Sequence, residues 1–252
     1  MSYKIEITAR YNNFTSEFNR IKSIFSQGDK TIHNARNVLK IIDINGVSCV
    51  IKSFRIPNII NQFAYVYIRN SKAYKSFHNA TKLFELGVST PEPIAYIEFH
   101  QYTLLKESFF IAKEYPYELT MANVRDDILE DKQEILKAFA QFTFEIHQKG
   151  VWHVDYSGGN ILINRKEVGY DFSLVDINRM EFKTIEGYDG LENFNKMWFD
   201  ETSLITIAKE YADLANLDET QAIKKIVEYD AKLKAHVLRR RAIKKAFKKR
   251  PK

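Results

Sequence analysis

Cysteine is almost missing from this chain: Cys49 is the only one among 252 residues. A single thiol cannot close an intrachain disulfide, so a reducing compartment is expected. Long apolar runs are missing too. No stretch reaches the ~18 residues that mark a membrane-spanning helix. Met1–Glu6 lacks an apolar run with a small-residue cleavage site, so it does not read as a signal peptide. There is no internal repeat, and no low-complexity segment apart from the C-terminal tail. These absences leave a cytoplasmic protein, soluble or peripheral.

What is present is a globular balance, with 45% hydrophobic and 28% charged residues. The length suits one two-lobed domain or two small ones, large enough to bury a core without staples. The net charge of +6 is unevenly placed: residues 232–252 hold eleven Lys or Arg and no acid. The other residues then carry 27 basic and 32 acidic groups, a balance of −5. The basic character belongs to the tail and not to the domain.

Residues 3–8 alternate as a short strand. Phe14, Phe18, Ile21 and Phe25 have the spacing of one helix face over residues 14–26. Two β-branched runs, 37–44 and 47–54, flank Asn45-Gly46, a strong hairpin signal. Ser71 is a candidate cap for a helix reaching about Leu86, and Gly87 stops it. Strands are expected at 94–99 and 109–115. A helix follows over 131–149, ended by Gly150. Two short strands are expected at 161–164 and 172–177, and mostly helix from about Glu192. The result is an α+β, bilobal pattern with a seam near residues 115–118, a natural place for a cleft. The expected divisions are 1–115, 116–231 and a basic tail at 232–252.

The chemistry concentrates in His153-Val154-Asp155-Tyr156-Ser157-Gly158-Gly159-Asn160, followed by an apolar strand and then Leu174-Val175-Asp176-Ile177-Asn178. Phosphoryl transfer explains this spacing, because its transition state needs position and counter-charge from the protein. Mg²⁺ takes oxygen ligands, and the Asn160 amide and the Asp176 carboxylate suit it. Asp155, kept off the metal, suits the base that accepts the proton of an attacking hydroxyl. Lys52 closes the run Val47–Ile51 after the hairpin, where a cation can grip the phosphates of ATP. His153 reads as a structural hydrogen-bonder.

With these segments the chain resembles the protein-kinase-like superfamily and, more narrowly, the lipopolysaccharide kinase (Kdo/WaaP) family. Supporting segments are Thr31–Asn37, Val50–Phe54, Leu83–Ile94, Asp155–Leu162 and Val175–Arg179. The resemblance implies a bilobal protein-kinase-like fold with a strand-rich N-lobe and a mostly helical C-lobe. It implies an ATP- and Mg²⁺-dependent kinase acting on a Kdo or heptose hydroxyl of lipopolysaccharide inner core. Adenine would meet the backbone at Glu114 and Tyr115, and Arg36 or nearby backbone would meet phosphate, in a turn poor in glycine. Val154 stands where regulated kinases carry arginine, and no Ala-Pro-Glu segment follows Asp176. Both departures favour a small or glycan acceptor. The helix glutamate that pairs with the strand lysine in kinases is replaced by Ser76, which leaves the partner of Lys52 open.

The acceptor implied is an anionic sugar or glycolipid. The basic tail suits peripheral contact with the cytoplasmic face of the inner membrane. Only Phe247 interleaves with its basic residues, so nucleic acid is not expected. Two other readings stand beside this one. One is a small-molecule kinase of aminoglycoside or choline type, with Asp189, Glu192, Asp200 and Glu201 as acids for a cationic acceptor. The other is a pseudokinase that binds nucleotide without transfer.

Overall fold

The computed structural model describes residues 2–34, 37–54, 70–102 and 104–248, leaving aside the side chains of 33, 34 and 246–248. Arg36, and with it the expected phosphate turn, lies outside the described residues, as does the Phe247 side chain. The chain forms two compact units. One comprises residues 1–116 with 174–179, the other 117–173 with 180–252.

The first unit is built on a six-stranded antiparallel sheet of order β1-β5-β6-β4-β3-β2. Its strands are β1 (Ser2–Ile7), β2 (Thr31–Asn34), β3 (Asn37–Ile44), β4 (Val47–Phe54), β5 (Pro93–Gln101) and β6 (Leu104–Lys113). The β3–β4 hairpin forms at Asn45-Gly46, both with positive φ (52° and 78°), as a two-residue primed turn requires. Against one face of the sheet pack Tyr11, Phe14, Phe18 and Ile21. The expected helix over 14–26 is three pieces: a 3₁₀ segment (Ala9–Phe14), α1 (Thr15–Phe18) and α2 (Ile21–Gln27). The break falls where the Arg20 amide donates to Glu17 O instead of continuing the α pattern. The apolar face survives the break.

Helix α3 (Lys72–Glu85) packs with Phe54 and Tyr96 through Ala73 and Phe77. Ser71 caps it, accepting from the Tyr74 amide at 3.0 Å. Gly87, at φ 62°, ends it: the Val88 amide donates to Leu83 O and the Gly87 amide to Phe84 O, a Schellman closure. Because helical segments and α3 both contribute to this core, β5 is buried along Pro93–Glu98, which is why its sequence is a continuous run.

The second unit contains β7 (Leu119–Thr120), α4 (Met121–Asp126), α5 (Lys132–Gln148), β8 (Val151–His153), β9 (Ile161–Arg165), β10 (Tyr170–Leu174), β11 (Met180–Phe182), α6 (Glu201–Ala215) and α7 (Glu219–Lys248). Short 3₁₀ segments span Gly158–Asn160 and Gly187–Met197. The strands form a three-stranded sheet, β10-β9-β7, and a β11–β8 pair. Helix was expected from Glu192; the chain instead keeps 3₁₀ geometry to Met197 and turns at Trp198, φ 60°. The strand expected over 172–177 stops at Leu174, because Asp176 takes a left-handed φ of 56°. Helix α7 runs from Glu219 through Lys232 without interruption.

Candidate active site

In the first unit, β4 alternates so that Cys49 and Ile51 are buried while Lys52 points to the other face. Its ammonium lies 5.5 Å from the Phe54 ring centroid and forms an ion pair with Asp176 Oδ1. The Lys52 side chain is only 12% exposed and that of Asp176 34%, so the pair is weakly screened. No acid of α3 takes this place: Glu85 is exposed and Ser76 is buried.

Asp176 is held from several sides. The Leu174 amide donates to Ser89 O at 2.9 Å, and Thr90 Oγ1 donates to Leu174 O at 2.8 Å. Asn79 on α3 donates through Nδ2 to Ile177 O at 2.6 Å, and Asn178 Nδ2 donates to Asp176 Oδ1 at 2.8 Å. A non-glycine residue at positive φ costs roughly 1 kcal/mol or more and persists where surroundings over-determine it. These bonds are that surrounding. Sequence reasoning missed Asn79, since an amide on a helix face carries no local signal of a partner 98 residues on.

At the end of β6, the Glu114 amide donates to Ser48 O at 2.8 Å, and the Glu114 carboxylate accepts from Ser48 Oγ. Pro116 has no amide hydrogen. Tyr115 carries the next amide beyond the bonded Glu114. A pocket of about 540 Å³ in the same unit borders Glu114, Tyr115 and Pro116 together with Phe84 and Val88. Lys52 and Asp176 are not among its lining residues.

In the second unit, β8 delivers the loop 154–160. His153 is fully buried, and its Nδ1 accepts from the Asp155 amide at 3.1 Å, which leaves Nε2 as the protonated nitrogen of a neutral ring. This is the structural role expected of it. Asp155 O accepts from the Ser157 amide and from Asn160 Nδ2, both at 2.8 Å. The bond from Nδ2 fixes the orientation of the Asn160 amide. Tyr156 anchors the loop, buried against Phe139 with its hydroxyl 2.8 Å from Thr143 Oγ1. Gly158 is required by close approach: a Cβ there would lie 2.8 Å from the Ala122 amide nitrogen at the start of α4. The Asp155 carboxylate remains 40% exposed, with Lys196 Nζ 3.8 Å from Oδ1.

A buried polar chain supports this loop. Tyr211 OH donates to His147 Nδ1 (2.9 Å), His147 Nε2 donates to Asn193 Oδ1 (3.1 Å), and Asn193 Nδ2 donates to His153 O (3.0 Å). Burial drives the His147 pKa down to about 4, so the ring stays neutral and the donor order is fixed. Gly190 makes room, since a Cβ there would sit 2.0 Å from the Tyr211 hydroxyl. Of the acids considered for a cationic acceptor, Asp200 caps α6, accepting from the Ser203 amide at 2.8 Å, and that bond holds its carboxyl below the usual range.

The comparisons with known proteins agree with one another. Over 166 residues the chain is 25% identical to the 3-deoxy-D-manno-octulosonic acid kinase of Pasteurella multocida (strain Pm70), covering 62% of this chain and 66% of that relative, just under two thirds of its length. A solved structure of WaaP in complex with acyl carrier protein superimposes with a TM-score of 0.64 at 13% identity, covering 94% of this chain and 98% of that one. That likeness shows the fold, the α+β bilobal kinase-like one expected from the sequence. The model of one family matches residues 57–220, most of the chain, and with it this chain belongs to the lipopolysaccharide kinase (Kdo/WaaP) family.

Proposed function

We propose that this protein transfers the γ-phosphate of ATP to a sugar hydroxyl, Kdo or heptose, of lipopolysaccharide inner core. The observation that carries the reading is the Lys52–Asp176 ion pair, formed by residues 124 apart and held at a strained backbone position. Backbone conformations of this kind cluster at ligand-binding and catalytic positions, which supports a functional role for the pair.

In this reading Lys52 holds the phosphates of ATP and the Glu114–Tyr115 backbone receives the adenine, with Tyr115 as amide donor. Arg36 is proposed as a further phosphate contact. Asp155 accepts the proton of the attacking hydroxyl. Asp176 and Asn160 Oδ1 would hold Mg²⁺, since both offer hard oxygen donors; the ion would neutralise phosphate charge. The mode of division proposed is a nucleotide-binding 1–115, a catalytic 116–231 and a basic 232–252.

The acceptor is proposed to be anionic and the protein peripheral at the cytoplasmic face of the inner membrane. No described helix is long and apolar enough to cross a membrane. Arg239, Arg240, Arg241, Lys244 and Lys245 are all exposed on α7. Of the four acids named for the aminoglycoside-type alternative, Asp200 is engaged as a cap.

The test is transfer from γ-labelled ATP to deacylated lipopolysaccharide core with Mg²⁺. Wild type should label the core, and Asp155→Ala should lose at least ~10²-fold, the scale of a missing general base. Intact ATP binding without labelling of the core or of any soluble alcohol would leave the pseudokinase reading.

A further inference from the structure

The loop that carries the proposed base, Asp155-Tyr156-Ser157-Gly158-Gly159-Asn160, contains no cation of its own. Phosphoryl transfer concentrates negative charge beside the base, because the hydroxyl that the base deprotonates is the one that attacks phosphorus. Beside the counter-charge given by Lys52 and the metal ion, a cation close to the base would stabilise that charge directly. The second unit holds one. Lys196, from the 3₁₀ segment Gly187–Met197, donates to Val154 O and stands 3.8 Å from Asp155 Oδ1.

The placement is firm. Asn193 bonds His153 O on one side of Lys196, and Met197 O accepts from Arg125 Nη1 (3.4 Å) on the other. Phe194 and Met197 are fully buried. Lys196 itself keeps 35% of its side chain exposed, and at 3.8 Å its contact with Asp155 is longer than a tight charged hydrogen bond. An ammonium has three protons. One goes to Val154 O, and the others face the carboxylate and its open side.

We propose that Lys196 is a catalytic residue that hydrogen-bonds the phosphoryl group in flight, while also keeping the Asp155 carboxylate oriented. This deepens the kinase reading above and rests on it. During the step the acceptor O–H bond breaks and its proton passes to Asp155. The acceptor oxygen bonds to the γ-phosphorus, and the bond from that phosphorus to the bridging oxygen of ADP breaks. Lys196 undergoes no net change; it supplies fixed positive charge where negative charge grows.

The test uses the full chain and a readout that needs no acceptor sugar: ATP hydrolysis, with water as acceptor, and binding of Mg–ADP with and without aluminium fluoride. The variants are Lys196→Gln, which can still bond Val154 O, and Lys196→Arg, which keeps the charge. Lys196→Gln should leave the ADP dissociation constant and the KM for ATP within about twofold. It should lower kcat by ~10²-fold and remove most of the tightening given by aluminium fluoride. Lys196→Arg should recover at least a tenth of kcat. If Lys196→Gln matches wild type, or if Gln and Arg lose kcat equally with unchanged melting, the charge of Lys196 has no part in transfer and the proposal fails. A wild type that binds ADP but neither hydrolyses ATP, tightens on fluoride nor labels the deacylated core fails the kinase reading itself, and the role of Lys196 falls with it.

Discussion

His147 is buried without charge, and this makes the second unit sensitive to acid. Its folded pKa of about 4 lies below the ordinary value near 6.5. The unfolded chain therefore binds a proton that the folded one refuses. The stability contributed is complete above the unfolded pKa and is lost as pH falls from about 6.5 towards 4. At pH 5 the loss is about 2 kcal/mol relative to pH 7.5. Urea unfolding at both pH values measures it. His147→Gln should be weaker at both, with a difference between them about 2 kcal/mol smaller; an unchanged difference would assign the acid sensitivity elsewhere. The adjacent glycines of the 154–160 loop separate in the same assay. Gly158→Ala forces a Cβ into the α4 backbone and should cost about 1–3 kcal/mol, whereas Gly159 has open space and its alanine variant should melt near wild type.

Elements act here by presenting one side chain to a distant segment. Helix α3 holds the Asp176 turn through Asn79, so Asn79→Ala should weaken that turn by about 1 kcal/mol. Hydrogen exchange of residues 174–179 should then rise about fivefold while the β4 amides stay protected. The 3₁₀ segment is held through Gly190, and Gly190→Ala should lower stability by at least ~2 kcal/mol by displacing Tyr211 from His147. Calorimetric melting checks this, and a wild-type Tm would show that the segment can give way.

Much of this was legible in the sequence because it is local. The Asn45-Gly46 hairpin, the Ser71 cap, the Gly87 stop and the α5 face through Ile135, Phe139 and Ile146 rest on residues near each other in the chain. So does the loop from His153 to Asn160. Lys196, Asn79 and the Tyr211–His147–Asn193 chain were not legible, because each works across 40 or more residues with no spacing rule. Strand ends were misplaced where tertiary bonds set them: the run expected over 109–115 begins at Leu104, and the Asp176 turn cuts the last strand short. The missing helix glutamate is explained by the ion pair found, since Lys52 takes Asp176 instead.

At the scale of the whole molecule, charge is the asymmetric property. Lys234 belongs to the body of its unit, paired with the nearly buried Asp230 at 2.7 Å and bonded to Phe199 O at 3.3 Å. The exposed cluster begins later, at Arg239. Reversing Arg239, Arg240 and Arg241 to glutamate should weaken binding to vesicles containing anionic lipid by ~10²-fold or more at low salt, at about 1 kcal/mol per basic residue removed. ATP binding and melting should be unchanged. Equal sedimentation with the vesicles would remove the membrane from the proposal and leave a solvated helix end.

The first unit is not one continuous stretch of chain, since residues 174–179 complete it. On the ribosome this sets an order of events. When Pro116 has been made, the sheet can assemble, yet the carboxylate that answers Lys52 is still 60 residues from synthesis. At ordinary elongation rates that is roughly 3–12 s. For that interval a nascent unit holds an unanswered ammonium, and its last piece arrives only after the loop 154–160 of the other unit has been translated.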